Sequence, residues 1–186
     1  MDIGIPIKLQ INFNNALKTG ELNLKDENIK DCDLERFILP FLEKNNNITK
    51  LNLSNNLIES DGAIALANNK TIKTLILNLN QIKDEGVMAL AQNNLLEELH
   101  LYDPIITAKG ALSLFKNDTI KRLRVMTGNY DVYNIIIMRK KRIERKKIVE
   151  ELIKKYNANS KNNTVFPFPT AGGHIVIHEL VANYCL

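Results

Sequence analysis

His174 and His178 stand four residues apart near the end of the chain, with Glu179 and Cys185 close behind. On a helix that spacing sets both imidazoles on one face, an arrangement that suits a metal ion. However, His178-Glu-Leu-Val-Ala182 has Ala where a zinc-protease helix carries its second histidine, and Gly172-Gly173 sit where the helix would begin. The pair reads as a chance pairing in a structural tail, so no metal or other cofactor is implied. Gly-x-Ser-x-Gly, the Walker phosphate loop and Gly-x-Gly-x-x-Gly are all missing from the sequence. His100, the remaining histidine, has no nucleophile in a recognisable context, and a lone exposed histidine does not make a site. The chain is therefore expected not to be an enzyme.

Two groups of residues have the chemistry of binding instead. Glu98, His100 and Tyr102 alternate along one short segment; Arg122, Arg124 and Met126 repeat that alternation further on, and Ile76 precedes them. An exposed tyrosine beside a histidine, two arginines and two apolar side chains has the composition of a protein-interface core. The second group is the run Arg139–Lys147, in which seven of nine residues are basic: Arg139, Lys140, Lys141, Arg142, Arg145, Lys146 and Lys147. Such a run can hold phosphates, anionic lipid or an acidic protein, and Arg139–Arg142 fits a loose nuclear-import pattern. No aromatic residue is interleaved with it, which weakens nucleic-acid binding, and the bland alternative is a solvated helix face.

The elements that position these residues are set by a repeat. Ile48…Leu51-Asn-Leu53…Asn56…Ile58…Gly62 returns as Ile72…Leu75-Ile-Leu77…Asn80…Ile82…Gly86, then as Leu96…Leu99-His-Leu101…Ile106…Gly110, at a fixed step of 24 residues. A fainter copy continues at Ile120…Leu123-Arg-Val125, and an earlier one at Leu22-Asn-Leu24…Ile29 stands 29 residues before the first full unit. Self-similarity at this period means a solenoid. In each unit Leu-x-Leu alternation predicts a short strand, and Ala63–Ala67, Val87–Ala91 and Ala111–Phe115 predict short helices after the glycines. Ser60, Asp61, Asp84, Glu85 and Thr107 supply N-cap oxygens or first-turn charge; Asn68, Asn93 and Asn117 end the helices. Asn56 and Asn80 sit where an amide can satisfy backbone groups of a bend. A single unit cannot bury its own apolar face, so the units must stack.

The pattern LxxLxLxxNxI…G…ALA resembles the leucine-rich repeat family, nearest its ribonuclease-inhibitor-like class, over roughly residues 17–126. The resemblance implies an α/β solenoid with a parallel concave strand layer, outer helices and a helical C-terminal cap. Residues 1–21 are expected to form an N-terminal cap opening with a strand over Lys8–Phe13, residues 22–128 the repeats, 129–156 a capping-helix region and 157–186 a linker and tail. The repeats also place an earlier, longer helix at about Asp33 to Lys44, containing Pro40. Pro104 and Gly128-Asn129 break the asparagine position, so distorted bends are expected there. In the last helix Ile148, Val149, Leu152, Ile153 and Tyr156 form one stripe, expected to cover the apolar end of the stack.

With 186 residues, 45% apolar and 25% charged, the chain has the composition of an ordinary globular domain. Its net charge of +4 is concentrated in the basic run. Two cysteines, Cys32 and Cys185, near opposite ends make a disulfide an unfavoured reading and point to a reducing, cytosol-like compartment. The first residues lack a positive region followed by an apolar run, so a secretory signal peptide is not expected. Short, Asn-rich proteins of this repeat class resemble effectors that intracellular bacteria deliver into host cells, which implies a host protein or another effector as partner and export without such a signal. The leading reading is a protein-protein interaction module that uses the concave face, with no small-molecule substrate. The alternative is a peripheral anionic-membrane or nucleic-acid binder acting through Arg139 to Lys147.

Overall fold

The computed structural model describes residues 5–102, 105–126, 138–144, 146–148 and 151. Its contacts divide the chain into two compact units, 1–136 and 137–186. In the first, five short strands run in chain order and pair in parallel: β1 (Glu21–Asn23), β2 (Lys50–Asn52), β3 (Thr74–Ile76), β4 (Glu98–Tyr102) and β5 (Arg122–Met126). The register follows the repeat, with Leu22, Leu51, Leu75, Leu99 and Leu123 as successive partners. Because alternate strand residues face opposite ways, the Leu-x-Leu pairs point inward together. Leu22, Leu51, Leu75 and Leu99 form one buried column, and Leu24, Leu53, Leu77 and Leu101 a second. Ile29, Ile58, Ile82 and Ile106 make a third beneath the bends. Each such side chain contributes about 1.5–3 kcal/mol by leaving water. The leucine-rich repeat solenoid predicted from the spacing is the fold.

Helices α4 (Ser60–Ala67), α5 (Asp84–Gln92) and α6 (Ala108–Lys116) back the strands and bury Ala63 and Leu66, Val87 and Leu90, Ala111 and Leu114. Their first residues hold the units together. The carboxylate of Asp31 accepts the N–H of Glu59 at 2.9 Å, the Ser60 hydroxyl that of Lys83 at 3.2 Å, and Asp84 that of Thr107 at 2.9 Å. Thr107 caps its own helix as expected, accepting from Lys109 N–H. Of the residues expected to supply N-cap oxygens or first-turn charge, Asp84 does lie in the first turn of α5, and the side-chain oxygens of Ser60 and Asp84 bond the next repeat, not their own helices. The corresponding first residue of α6 is Ala108, which has no oxygen to offer. The glycines follow from this latch: a Cβ on Gly62 would lie 2.3 Å from Asp31 Oδ1, and one on Gly110 2.6 Å from Asp84 Oδ1.

Two amide ladders satisfy the buried backbone that the bends leave open. Asn56 Oδ1 accepts the N–H groups of Glu27 and Ile29, while its Nδ2 donates to Leu24 O and Leu53 O. Asn80 repeats this toward Ile58 N–H, Leu53 O and Leu77 O. On the helix-exit side Asn93 and Asn117 donate to Ala67 O and Ala91 O, each at 2.8 Å, and accept the N–H groups of Leu96 and Ile120.

The first element differs from expectation. Where a strand was expected over Lys8–Phe13 stands a helix, α1 (Ile7–Thr19). The alternation over Lys8–Phe13 fits a strand, but Leu9, Phe13 and Ala16 also share one helix face, and these three are buried. The helical solution lets Phe13 stack on Phe41 with centroids 3.9 Å apart and planes 5° off parallel. It leaves Ile7 and Ile11 exposed, then stops at Gly20, whose φ of 74° takes the left-handed cap. After β1 the predicted longer helix runs as α2 (Asp31–Asp33), a π turn (Leu34–Ile38) and α3 (Leu39–Lys44). Pro40 would clash with the carbonyl four residues back; the widened turn, with Leu39 N–H reaching Leu34 O, accommodates it.

In the second unit residues 138–144 and 146–148 are helical. Ile148, expected on a buried stripe, is 58% exposed; Val149, Leu152, Ile153 and Tyr156 lie outside the described residues, as do both anticipated distorted bends and the 157–186 tail with its histidines and Cys185.

Candidate functional site

Parallel pairing without a bulge turns the repeat into rows of side chains across the outward strand face. Lys50, Thr74, Glu98 and Arg122 form one row, and Asn52, Ile76, His100 and Arg124 the next. Tyr102 and Met126 are partners in a third. The predicted site residues are thus neighbours; the side chain of Met126 falls outside the described residues.

Glu98 is the electrostatic centre. Its Oε2 accepts from Arg122 Nε at 2.9 Å and Nη2 at 2.8 Å, and its Oε1 lies 2.9 Å from His100 Nε2. An ionised carboxylate only accepts, so Nε2 carries the proton and Nδ1 is the ring nitrogen left for other contacts. The Arg122 hydrogen bonds, then that of His100, hold the Glu98 carboxyl below the usual glutamate value. Glu98 and His100 side chains are only 14% and 16% exposed, so this pair is a floor to the face rather than a rim.

Neighbouring charges are similarly cancelled. Lys50 Nζ bridges both oxygens of Glu21 at 3.0 and 3.1 Å. Glu97 lies between Lys73 at 3.9 Å and Lys121 at 3.4 Å. Such surface pairs contribute about 0–1 kcal/mol each, but they remove net charge from the rows. Arg124 is different: it is exposed, and among the described residues its guanidinium has neither an ion pair nor a hydrogen bond. Beside it Tyr102 is 42% exposed and Ile76 half-buried. One exposed apolar side chain here was not among the predicted residues: Leu79, 49% exposed, whose N–H donates to Tyr102 O at 2.8 Å. Its position in a Leu-Asn-Leu-Asn string reads as interior, and only the left-handed turn, φ 56°, puts it outside.

The basic run is divided by its helix. Lys140, Lys141, Lys146 and Lys147 are exposed, Arg142 is half-buried and Arg139 is only 3% exposed; Arg145 lies outside the described residues. A groove of about 410 Å³ lies beside β1, lined by Asn12, Asn15, Thr19 and Lys25 with two carboxylates. Those carboxylates, Glu21 and Glu27, already face Lys50 and Lys8, and the lining is polar where small-molecule sites are mostly apolar. Among the described residues no group of three or more His, Cys, Asp or Glu could hold a metal ion, and no helix is long and apolar enough to cross a membrane.

Stacked strand–helix units with leucine columns and asparagine ladders define a leucine-rich repeat protein, and the chain is one. The Leucine Rich repeat family pattern matches two consecutive units, residues 44–67 and 68–91. Among solved structures the chain is similar to the one titled Leiomodin-1 Actin-Binding Site 2, with 25% identity over 81% of this chain and 95% of that chain, at a TM-score of 0.57. No curated protein sequence matches.

Proposed function

We propose that the protein is an interaction module that binds a partner protein through the concave strand face, at the rows that run from Glu98 to Arg122 and from Ile76 through His100 to Arg124. The observation that carries this is an exposed Tyr102 on the strand next to that of Arg124, which among the described residues has no ion pair, while Lys50 and Arg122 are held by Glu21 and Glu98. Tyrosine and arginine dominate interface energetics, and a preformed sheet loses little entropy on binding. A solved neighbour titled as an actin-binding site supports a protein as the partner class, and actin is the first defined bait. An effector or inhibitor role, with a host protein or second effector as target in a reducing compartment, extends this reading on the strength of the repeat class alone.

Binding to an anionic membrane or nucleic acid through Arg139–Lys147 is favoured less, because burial of Arg139 and partial burial of Arg142 thin the run. The test is capture by immobilised protein of actin and of lysate proteins at two salt concentrations. Loss of a specific partner on Tyr102→Ala with Arg124→Ala supports the strand-face reading. Retention by that double variant, together with loss on neutralising Lys140, Lys141 and Lys147 and a steep fall with salt, would sink it.

A further inference from the structure

Granting that the strand face binds a protein, we propose that Leu79 is its anchor, and that the segment it receives presents an apolar side chain beside a carboxylate. Each of the first three repeats leaves its strand through a residue of positive φ: Asp26 at 62°, Asn55 at 55° and Leu79 at 56°. Asp and Asn tolerate this left-handed conformation because a short polar side chain bonds locally; Asn55 Nδ2 and Asp26 Oδ1 are 2.6 Å apart. Leucine has no such compensation, and its Cβ meets the steric crowding in full. Nor does burial offset the strain, since nearly half of the Leu79 side chain meets water. Asparagine would relieve both costs at this position, as Asn55 does one repeat earlier. A residue that breaks a local rule without a folding benefit points to function.

Its surroundings define what it would receive. The Leu79 N–H bonds the carbonyl of Tyr102, Ile76 ends β3 three residues before Leu79, and Ile105, 44% exposed, follows Tyr102 by three. Apolar side chains thus stand at the end of β3 and in the turns that follow β3 and β4. Among the described residues, the cation of the same rows that no carboxylate offsets is Arg124, since Lys50 and Arg122 are held by Glu21 and Glu98. An anionic lipid surface or a nucleic acid needs several free cations; one beside apolar side chains suits a single Asp or Glu next to a Leu, Ile or Phe.

A random short-peptide display library selected on the full-length protein tests this, with Leu79→Asn and Arg124→Ala selected in parallel. Retained peptides should carry an acidic residue close to a large apolar one and bind Leu79→Asn and Arg124→Ala roughly tenfold more weakly. Leu79→Asn should at the same time melt higher by roughly 2–4 °C, a readout that a merely structural leucine would not give. Peptides that lose affinity for Tyr102→Ala and Arg124→Ala but not for Leu79→Asn would remove the anchor and leave the strand-face reading standing. Peptides indifferent to all three variants, or no retention above the variant selections, would overturn both. A lower melting temperature for Leu79→Asn, or retained peptides without acid, would overturn the anchor alone.

Discussion

Asp84 receives both hydrogen-bonding groups of Thr107: the backbone N–H on Oδ1 at 2.9 Å and the hydroxyl on Oδ2. One carboxylate at the start of α5 therefore fixes the start of α6, 23 residues later in the chain. The contact explains why glycine stands at 110, because the same carboxylate occupies the space of its missing Cβ.

Gly62→Ala should be among the more damaging small substitutions. Its Cβ would meet Asp31 Oδ1 at 2.3 Å and Leu34 Cδ1 at 2.9 Å, so the latch or the core must move. A loss of about 1–3 kcal/mol is expected from overpacking, measured by urea unfolding. Partial recovery in Gly62→Ala with Asp31→Ala would identify the carboxylate as the obstacle.

Asn80→Ala should cost more. It would strand Ile58 N–H and weaken the support of Leu53 O and Leu77 O in a buried bend. With about 1–3 kcal/mol for each buried group left unsatisfied, the total reaches several kcal/mol, read as a shifted urea midpoint with an unchanged slope. Asn55→Ala, at an exposed position one repeat earlier, should shift it far less.

The Glu98 carboxyl titrates below the usual glutamate value of 4.5. Its folded pKa is depressed, so its contribution to stability is present above the unfolded value and is lost as pH falls through the folded one. Comparing Glu98→Gln with the parent across the acid range should show a stability difference that narrows as pH falls below 4.5 and closes once pH is under the folded value. A difference that instead grew on acidification would contradict the Arg122 and His100 hydrogen bonds as its cause.

Arg122→Ala and Arg124→Ala should separate. Arg122 is held by Glu98, so its removal leaves a half-buried carboxylate with one fewer partner and lowers stability. Arg124 makes no such contact among the described residues, so its removal should leave the melting temperature within about 1–2 °C. If the strand face binds the partner, titration calorimetry should assign the larger loss of affinity to Arg124.

The 24-residue step made the leucine columns, strand register and asparagine ladders legible, because each depends on one residue type recurring at one position. The N-terminal helix was not legible: Ile7 and Ile11 are as apolar as Leu9 and Phe13, and both helix and strand patterns fit until Phe41 supplies a stacking partner. Alignment of Glu98, His100, Arg122 and Arg124 followed from the register, but the chelation of Glu98 did not, since rotamers decide which charges cancel. Leu79 was hidden because sequence carries no sign of φ. Ser60 and Asp84 were placed at the starts of their helices, as cap oxygens or first-turn charge; that their oxygens reach across to the next unit is a tertiary fact.

Alanine at 108 occupies the place where Asp31, Ser60 and Asp84 each grip their successor. Lengthening the protein should therefore work by splicing a duplicate unit upstream of α6, where donor and acceptor already match. For a unit spliced in behind α6, Ala108→Asp or Ala108→Ser would supply the missing acceptor.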